Sequence, residues 1–190
     1  MNYYTENKKF EKSDFTDNPL TKGEYEYCIF SECDFSNSNL ADISFSECEF
    51  INCNLSLADV TQTAFRNVKF NNCKMLGVNF NSCNEFGLQL SFENCTLNHS
   101  IFYQMRLKKT DFRNSELLET DFTGCDLSGS AFENCDLTRA VFENSVLENV
   151  DFRTSYNFDI DPESNRIKKA KFSNGNIAGL LLKYDIEIEG

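Results

Sequence analysis

Every fifth residue of this chain is apolar, with few breaks from residue 10 to residue 152. One register runs through Phe10, Phe15, Leu20, Tyr25, Phe30, Phe35, Leu40, Phe45, Phe50, Leu55, Val60, Phe65, Phe70, Met75 and Phe80. A second runs through Phe92, Leu97, Phe102, Leu107, Phe112, Leu117, Phe122, Leu127, Phe132, Leu137, Phe142, Leu147 and Phe152. A period of five fits neither an amphipathic helix nor a half-buried strand. Self-similarity at a fixed period is instead the mark of a stacked repeat. If four units make one square coil, residues twenty apart stack at the strand spacing of about 4.8 Å. The second register then forms pure ladders. Phe92, Phe112, Phe132 and Phe152 share one face, and Phe102, Phe122 and Phe142 share the opposite one. Leu97, Leu117 and Leu137 make a third column, and Leu107, Leu127 and Leu147 a fourth. The first register is less regular, since Phe35, Leu55 and Met75 mix in one column. Burial of these ladders, at about 25 cal/mol per Å², is the expected source of stability.

The frame slips by two residues between Asn84 and Leu90, where Glu85 stands at a position due an apolar centre. A bulge or small loop that bends the rod is expected, with Gly87 supplying backbone freedom. The functional alternative is an interaction loop or a joint between subdomains. The repeat fails again at Tyr156–Pro162 and returns for one last turn at Ile167 and Phe172. Residues 1–155 are therefore read as an all-β solenoid with a register break near 84–91. Residues 156–190 are read as an excursion, a last coil turn and a cap. Ile177–Tyr184 is a short apolar helix candidate, and Asp185–Glu189 alternates like a strand. An open solenoid end needs cover, either from such a cap or from a second copy related by two-fold symmetry.

Composition narrows the function. The net charge of −12 argues against direct nucleic-acid binding, which needs a basic footprint. The N-terminal MNYYTENKKFEKSDF has no apolar core of a secretory signal, and no stretch approaches the roughly 20 apolar residues of a membrane span. A soluble cytoplasmic protein is expected. All nine cysteines lie two residues before a repeat centre, in a slot filled elsewhere by Ser38, Ala58, Thr63, Ser100 or Thr120. A site that takes Cys, Ser, Thr or Ala is a packing site for a small side chain. Without a CxxC pair, neither a metal centre nor a disulfide framework is expected. The single histidine, His99, joins no Ser-His-Asp or Cys-His arrangement. No P-loop or HExxH occurs, and the small core slots leave no room for a cofactor. The chain reads as a non-enzyme with no cofactor and no small-molecule substrate.

Charge is banded along the chain. Residues 14–59 carry ten acids against Lys22, and residues 111–153 carry ten acids against Arg113, Arg139 and Arg153. Between them, Arg66, Lys69, Lys74, Arg106, Lys108 and Lys109 face only Glu85 and Glu93. Two acidic bands with a basic waist are expected. The acids that precede centres suit turns, where a short carboxylate can bond nearby backbone. Glu119, Glu133, Glu143 and Glu148 lie outside that slot.

The units CDFSN, CEFIN, TDFRN, TDFTG, CDLSG, SAFEN, CDLTR, AVFEN and VDFRT resemble the pentapeptide-repeat consensus A(D/N)LXX over roughly residues 8–155, with a further match at Ala170-Lys171-Phe172. The resemblance implies a right-handed quadrilateral β-helix of about seven coils, roughly 35 Å long at strand spacing. The segment NIAGLLLKYDIEIEG is similar in kind to the C-terminal dimerisation segment of the quinolone-resistance (Qnr) group. The IDPE-NRI run resembles one in a microcin-immunity relative. These likenesses imply a DNA mimic that binds a type II topoisomerase, DNA gyrase, and protects it from a drug or toxin. The acidic surface would be Asp111, Glu116, Asp121, Asp126, Asp136, Glu143 and Asp151. The homodimer would use Ile177, Leu180, Leu181, Leu182, Tyr184, Ile186 and Ile188. The alternative is an interaction scaffold with no topoisomerase role. A continuous acidic stripe favours the mimic, whereas acids scattered over four faces favour the scaffold.

Overall fold

The structure, a computed structural model, describes residues 3–188; the outer ends of the two expected segments, residues 1–2 and 189–190, lie outside the described residues. In chain order the strands are β1 (Tyr3–Glu6), β2 (Lys9–Glu11), β3 (Gly23–Glu26), β4 (Ile29–Ser31), β5 (Ser44–Ser46), β6 (Glu49–Ile51), β7 (Ala64–Arg66), β8 (Val68–Asn71), β9 (Leu90–Glu93), β10 (Asp111–Arg113) and β11 (Ala131–Glu133). A 7-stranded parallel sheet has the order β11-β10-β9-β8-β6-β4-β2, and a 4-stranded one the order β1-β3-β5-β7. Single parallel bridges, such as Asp34 with Asn54 and Asp121 with Val141, continue the stacking on the other sides. The fold is the expected all-β, four-sided parallel β-helix.

Partners in successive coils set the register. Phe50 pairs with Phe70, but Phe70 pairs with Phe92. The two extra residues lie after the turn Phe86–Gly87, because Asn84 still pairs with Ala64. Glu85 is exposed there, and Leu88 packs partly against the core. A carboxylate without a partner is costly to bury, so the chain lengthens until an apolar side chain can turn inward.

We number the faces by their inward columns. Phe10 to Phe172 define the first face, Phe15 to Leu137 the second, Leu20 to Phe142 the third and Tyr25 to Ile167 the fourth. Along the first and third faces the rings lie parallel, as in Phe112–Phe132 at 4.8 Å and Phe102–Phe122 at 5.2 Å. Across the core the two columns meet edge to face, with Phe112 and Phe122 at 5.7 Å and 82°. Both geometries suit the aromatic quadrupole. Phenylalanine can occupy both columns because the opposed rings interlock.

The small slot does more than save space. Most of its side chains donate to a carbonyl one coil below, as in Thr63 Oγ1 to Leu40 O at 2.8 Å, Ser130 Oγ to Leu107 O at 2.7 Å and Cys125 Sγ to Phe102 O at 2.8 Å. Every cysteine is buried and unpaired. At the corners, one residue per unit takes the left-handed conformation, for example Asn52, Leu57, Asn114 and Arg139 with φ of 48–58°. Asparagine tolerates this region better than most residues, which accounts for its frequency there.

The C-terminal expectation needs correction. Ile177–Tyr184 forms two short 3-10 turns, Ile177–Leu180 and Leu182–Tyr184, and not one helix. Asp185–Ile188 contains no strand, and Glu189 lies outside the described residues. Asn176 pins the segment by donating through Nδ2 to Phe152 O at 2.7 Å and Ser155 O at 3.0 Å. Ile160 N donates to Gly179 O at 3.0 Å, and Phe172 stacks on Phe152 at 5.4 Å, as the last turn requires.

Candidate partner-binding surface

The grooves among the described residues, such as that between Arg139 and Lys183, are open to solvent, so the outward rows of the rod are the candidate. Each unit presents the residue before its centre and two residues after it. The preceding Asp or Asn has a structural task. Its Oδ1 accepts the backbone N–H two residues on, at 2.8 Å in Asp121–Thr123, 3.0 Å in Asp136–Thr138 and 2.8 Å in Asp34–Ser36. This Asx turn repeats up the rod and explains why the position is so often acidic.

The seven acids expected to meet a partner fall on all four faces. Asp111 and Asp151 are on the first, Glu116 and Asp136 on the second, Asp121 and Glu143 on the third, and Asp126 on the fourth. Their electrostatic states divide by face. Asp111 pairs with Arg113 at 3.2 Å, Asp151 with Arg153 at 2.7 Å and Lys171 at 3.7 Å, and Asp126 with Lys108 at 3.0 Å. The Arg153 guanidinium holds the Asp151 carboxyl below the usual range. Burial opposes ionisation of Asp126, but the Ser128 hydroxyl and Lys108 outweigh it, and its pKa is also lowered. Among the described residues, Glu116, Asp136, Asp121 and Glu143 have no cationic partner.

The second and third faces adjoin, so these four acids flank one edge of the rod, whose corner carries the Glu119–Arg139 ion pair. Asp14, Asp34 and Asp59 continue the same two faces through the N-terminal coils, also without ion pairs among the described residues. Lys74 interrupts the second face between Asn54 and Thr96. The first and fourth faces hold the ion-paired Asp111, Asp151 and Asp126 and most of the waist: Lys69 pairs with Glu49 at 3.4 Å, and Arg66 donates to Ser44 Oγ at 2.6 Å. Of the acids outside the turn slot, Glu119 pairs with Arg139, Glu133 with Arg113 and Glu148 with Arg166, which leaves Glu143 bare. The signal for these pairs was present in the chain. Many join residues twenty or eighteen apart, one coil up, as in Lys22–Asp42 and Lys108–Asp126.

The expected dimer residues cluster at the C-terminal end. Ile177, Leu182, Tyr184, Ile186 and Ile188 are exposed, while Leu180 and Leu181 are half-buried, Leu180 against the core. No helix among the described residues is long and apolar enough to cross a membrane.

A family model described as a pentapeptide repeat region matches residues 23–90, 44–122 and 88–161. The chain belongs to the pentapeptide-repeat family. Among solved structures, a trypsin-treated form of QnrB1, a plasmid-mediated fluoroquinolone resistance protein, is similar with a TM-score of 0.64 at 18% identity; the alignment covers 99% of this chain and 100% of that one. A second trypsin-treated QnrB1 form aligns at a TM-score of 0.61 and 19% identity, over 100% of both chains. HetL, a pentapeptide repeat protein involved in heterocyst differentiation regulation from the cyanobacterium Nostoc sp. strain PCC 7120, aligns at 0.50 and 13% identity, over 91% of this chain and 87% of its own. No curated protein matches the chain. At these identities the likeness concerns the fold; family members need not share a task.

Proposed function

We propose that this pentapeptide-repeat protein is a non-enzymatic, cytoplasmic binding protein. Its bare acidic edge occupies the DNA-binding groove of a type II topoisomerase, DNA gyrase, and it protects that enzyme from a drug or toxin. One observation carries the reading: Glu116, Asp136, Asp121 and Glu143 lie on adjoining faces without cationic partners among the described residues, while Asp111, Asp151 and Asp126 on the other two faces are ion-paired. Glu116 and Asp136, like Asp14 and Asp34, stack one coil apart at about 4.8 Å, and a basic groove is complementary to such a negative surface. QnrB1 shares the fold and is a fluoroquinolone resistance protein, which points to gyrase among possible basic partners. The C-terminal apolar cluster joins two copies end to end and doubles the length of the rod.

A second reading is favoured by a different observation. Three of the seven acids lie off this edge and are ion-paired, and the edge is broken by Lys74. A scaffold for another protein would tolerate that pattern. Gyrase supercoiling with a quinolone present, titrated with this protein at low and physiological salt, separates the two. Rescue or inhibition that vanishes in Glu116→Gln/Asp121→Asn/Asp136→Asn/Glu143→Gln supports the mimic. No effect at either salt leaves the scaffold.

A further inference from the structure

The basic waist is the feature that an acidic binding edge leaves unused. On the fourth face Asn84 pairs with Ala64, and the coil above carries Arg106, Lys108 and Lys109, because the flanking sides of these two coils pair Asn79 with Ile101 and Ser91 with Asp111. Phe86 therefore lies between the coil of Arg66 and the coil of Arg106, Lys108 and Lys109. Phe86 is 80% exposed, more than any other large apolar side chain described. It is also held in place. Its N–H donates to Asn84 Oδ1 at 2.9 Å, and Gly87 follows in the left-handed region at φ 72°. The Arg66 side chain runs beneath, 3.6 Å from where a Cβ on Gly87 would stand. The ring thus projects from the same rigid turn that forms the other corners.

Arg66 lies in the coil below it, and Arg106, Lys108 and Lys109 lie in the coil above. Arg66 bonds only Ser44 Oγ, Arg106 and Lys109 have no ion pair among the described residues, and Lys108 shares Asp126. The carboxylates nearby are the exposed Glu85 and that Asp126, so the patch is positive. Glu26 and Glu47 lie below it on the same face, and Glu148 lies above.

We propose that this patch docks a short, extended acidic segment of a partner protein, with an apolar side chain of that segment seated on Phe86. Its width selects the occupant. The positive stretch spans three coils, about 15 Å, and holds four or five residues of extended peptide at about 3.3 Å each. A polyanion running along the rod, such as a nucleic-acid strand, would meet the carboxylates at either end. An exposed ring with cations in the coils below and above also fits an interface anchor, where aromatic and Arg side chains carry most of the binding energy. The surface lies opposite the second face, so it does not depend on the topoisomerase reading.

The test is fluorescence anisotropy with a short labelled peptide of alternating glutamate and leucine. It is titrated with the full chain and with variants whose unchanged melting shows that they fold. Binding at low salt should weaken about tenfold in Phe86→Ser and similarly in Arg106→Gln/Lys109→Gln. Asp121→Asn/Asp136→Asn should leave it unchanged. Absent binding, equal binding by the Phe86 and Arg106/Lys109 variants, or tighter binding of a thymidine oligonucleotide of equal charge would each overturn the proposal.

Discussion

Glu116 lies directly beneath Asp136 on the second face, one coil apart, and neither carboxylate meets a cation among the described residues. Like charges opposed on a sheet surface are destabilising. On the first face the same arrangement is avoided: Asp111 and Asp151 are separated by Ala131, and each has an arginine two residues on. The bare pair is thus a local cost that the fold carries, as a binding surface does.

The Asx turn lets charge and structure be varied separately. Asp136→Asn keeps the acceptor for Thr138 N and removes the charge. Asp136→Ala removes both and should lower stability by about 1 kcal/mol, read from the denaturation midpoint. Asp136→Asn should match or exceed the parent. A large loss with Asn would show that the charge itself is structural.

The ring ladders make one core position expensive. Phe122 is fully buried between Phe102 at 5.2 Å and Phe142 at 5.1 Å. Phe122→Ala should cost about 3–5 kcal/mol, while Phe122→Leu, which the adjoining columns already use, should cost much less. Chemical denaturation of both variants checks the difference.

The slot cysteines should be inert. Burial pushes the Cys48, Cys83, Cys125 and Cys135 thiols up to about 12, so they stay protonated at mildly alkaline pH, and the thiolate is the reactive form. A thiol-reactive dye should label none of them in the native chain at pH 8 and all nine cysteines after denaturation. Rapid native labelling would show that the coils open.

The C-terminal turns are tied down by charge. Lys183 reaches Asp161 at 2.6 Å and Glu163 at 2.7 Å and holds both carboxyls below their usual range. A depressed folded-state pKa gives stability that is present above the ordinary carboxylate value and is lost as pH falls through the folded one. Hydrogen-exchange protection in residues 177–185, taken relative to the intrinsic rate at each pH, should therefore be high at neutral pH and fall below about pH 4, ahead of the coils. Lys183→Gln should remove that step.

If the exposed C-terminal side chains bury against a second copy, Leu182→Asp/Ile186→Asp should convert a dimer to a monomer in light scattering. An unchanged mass would leave that apolar end without a role in self-association.

Much of this was legible in the chain because a β-helix is nearly one-dimensional. Phe92 must stack on Phe112 once the period is five, and the two-residue slip at Glu85 could be placed from the same count, since each coil contacts only its neighbours. The Cys, Ser and Thr slot was visible as small, but its donation to the carbonyl one coil below, as in Thr63 to Leu40, was not. The cap was misjudged because Ile177–Tyr184 is shaped by contacts far away in sequence. Gly179 sits so close to Phe158 that a Cβ would fall 2.5 Å from its ring, and Asn176 takes its geometry from Phe152 and Ser155.

The sequence by itself determined the fold, the core columns, the slip and the acidic balance, because a strict short period leaves stacking little freedom. Only the tertiary structure decided which acids stand bare. Asp126 and Asp136 are equivalent in the repeat, but Lys108 reaches the first and no cation reaches the second. That depends on which side chains share a face one coil apart, and a charge's state is set by neighbours in space.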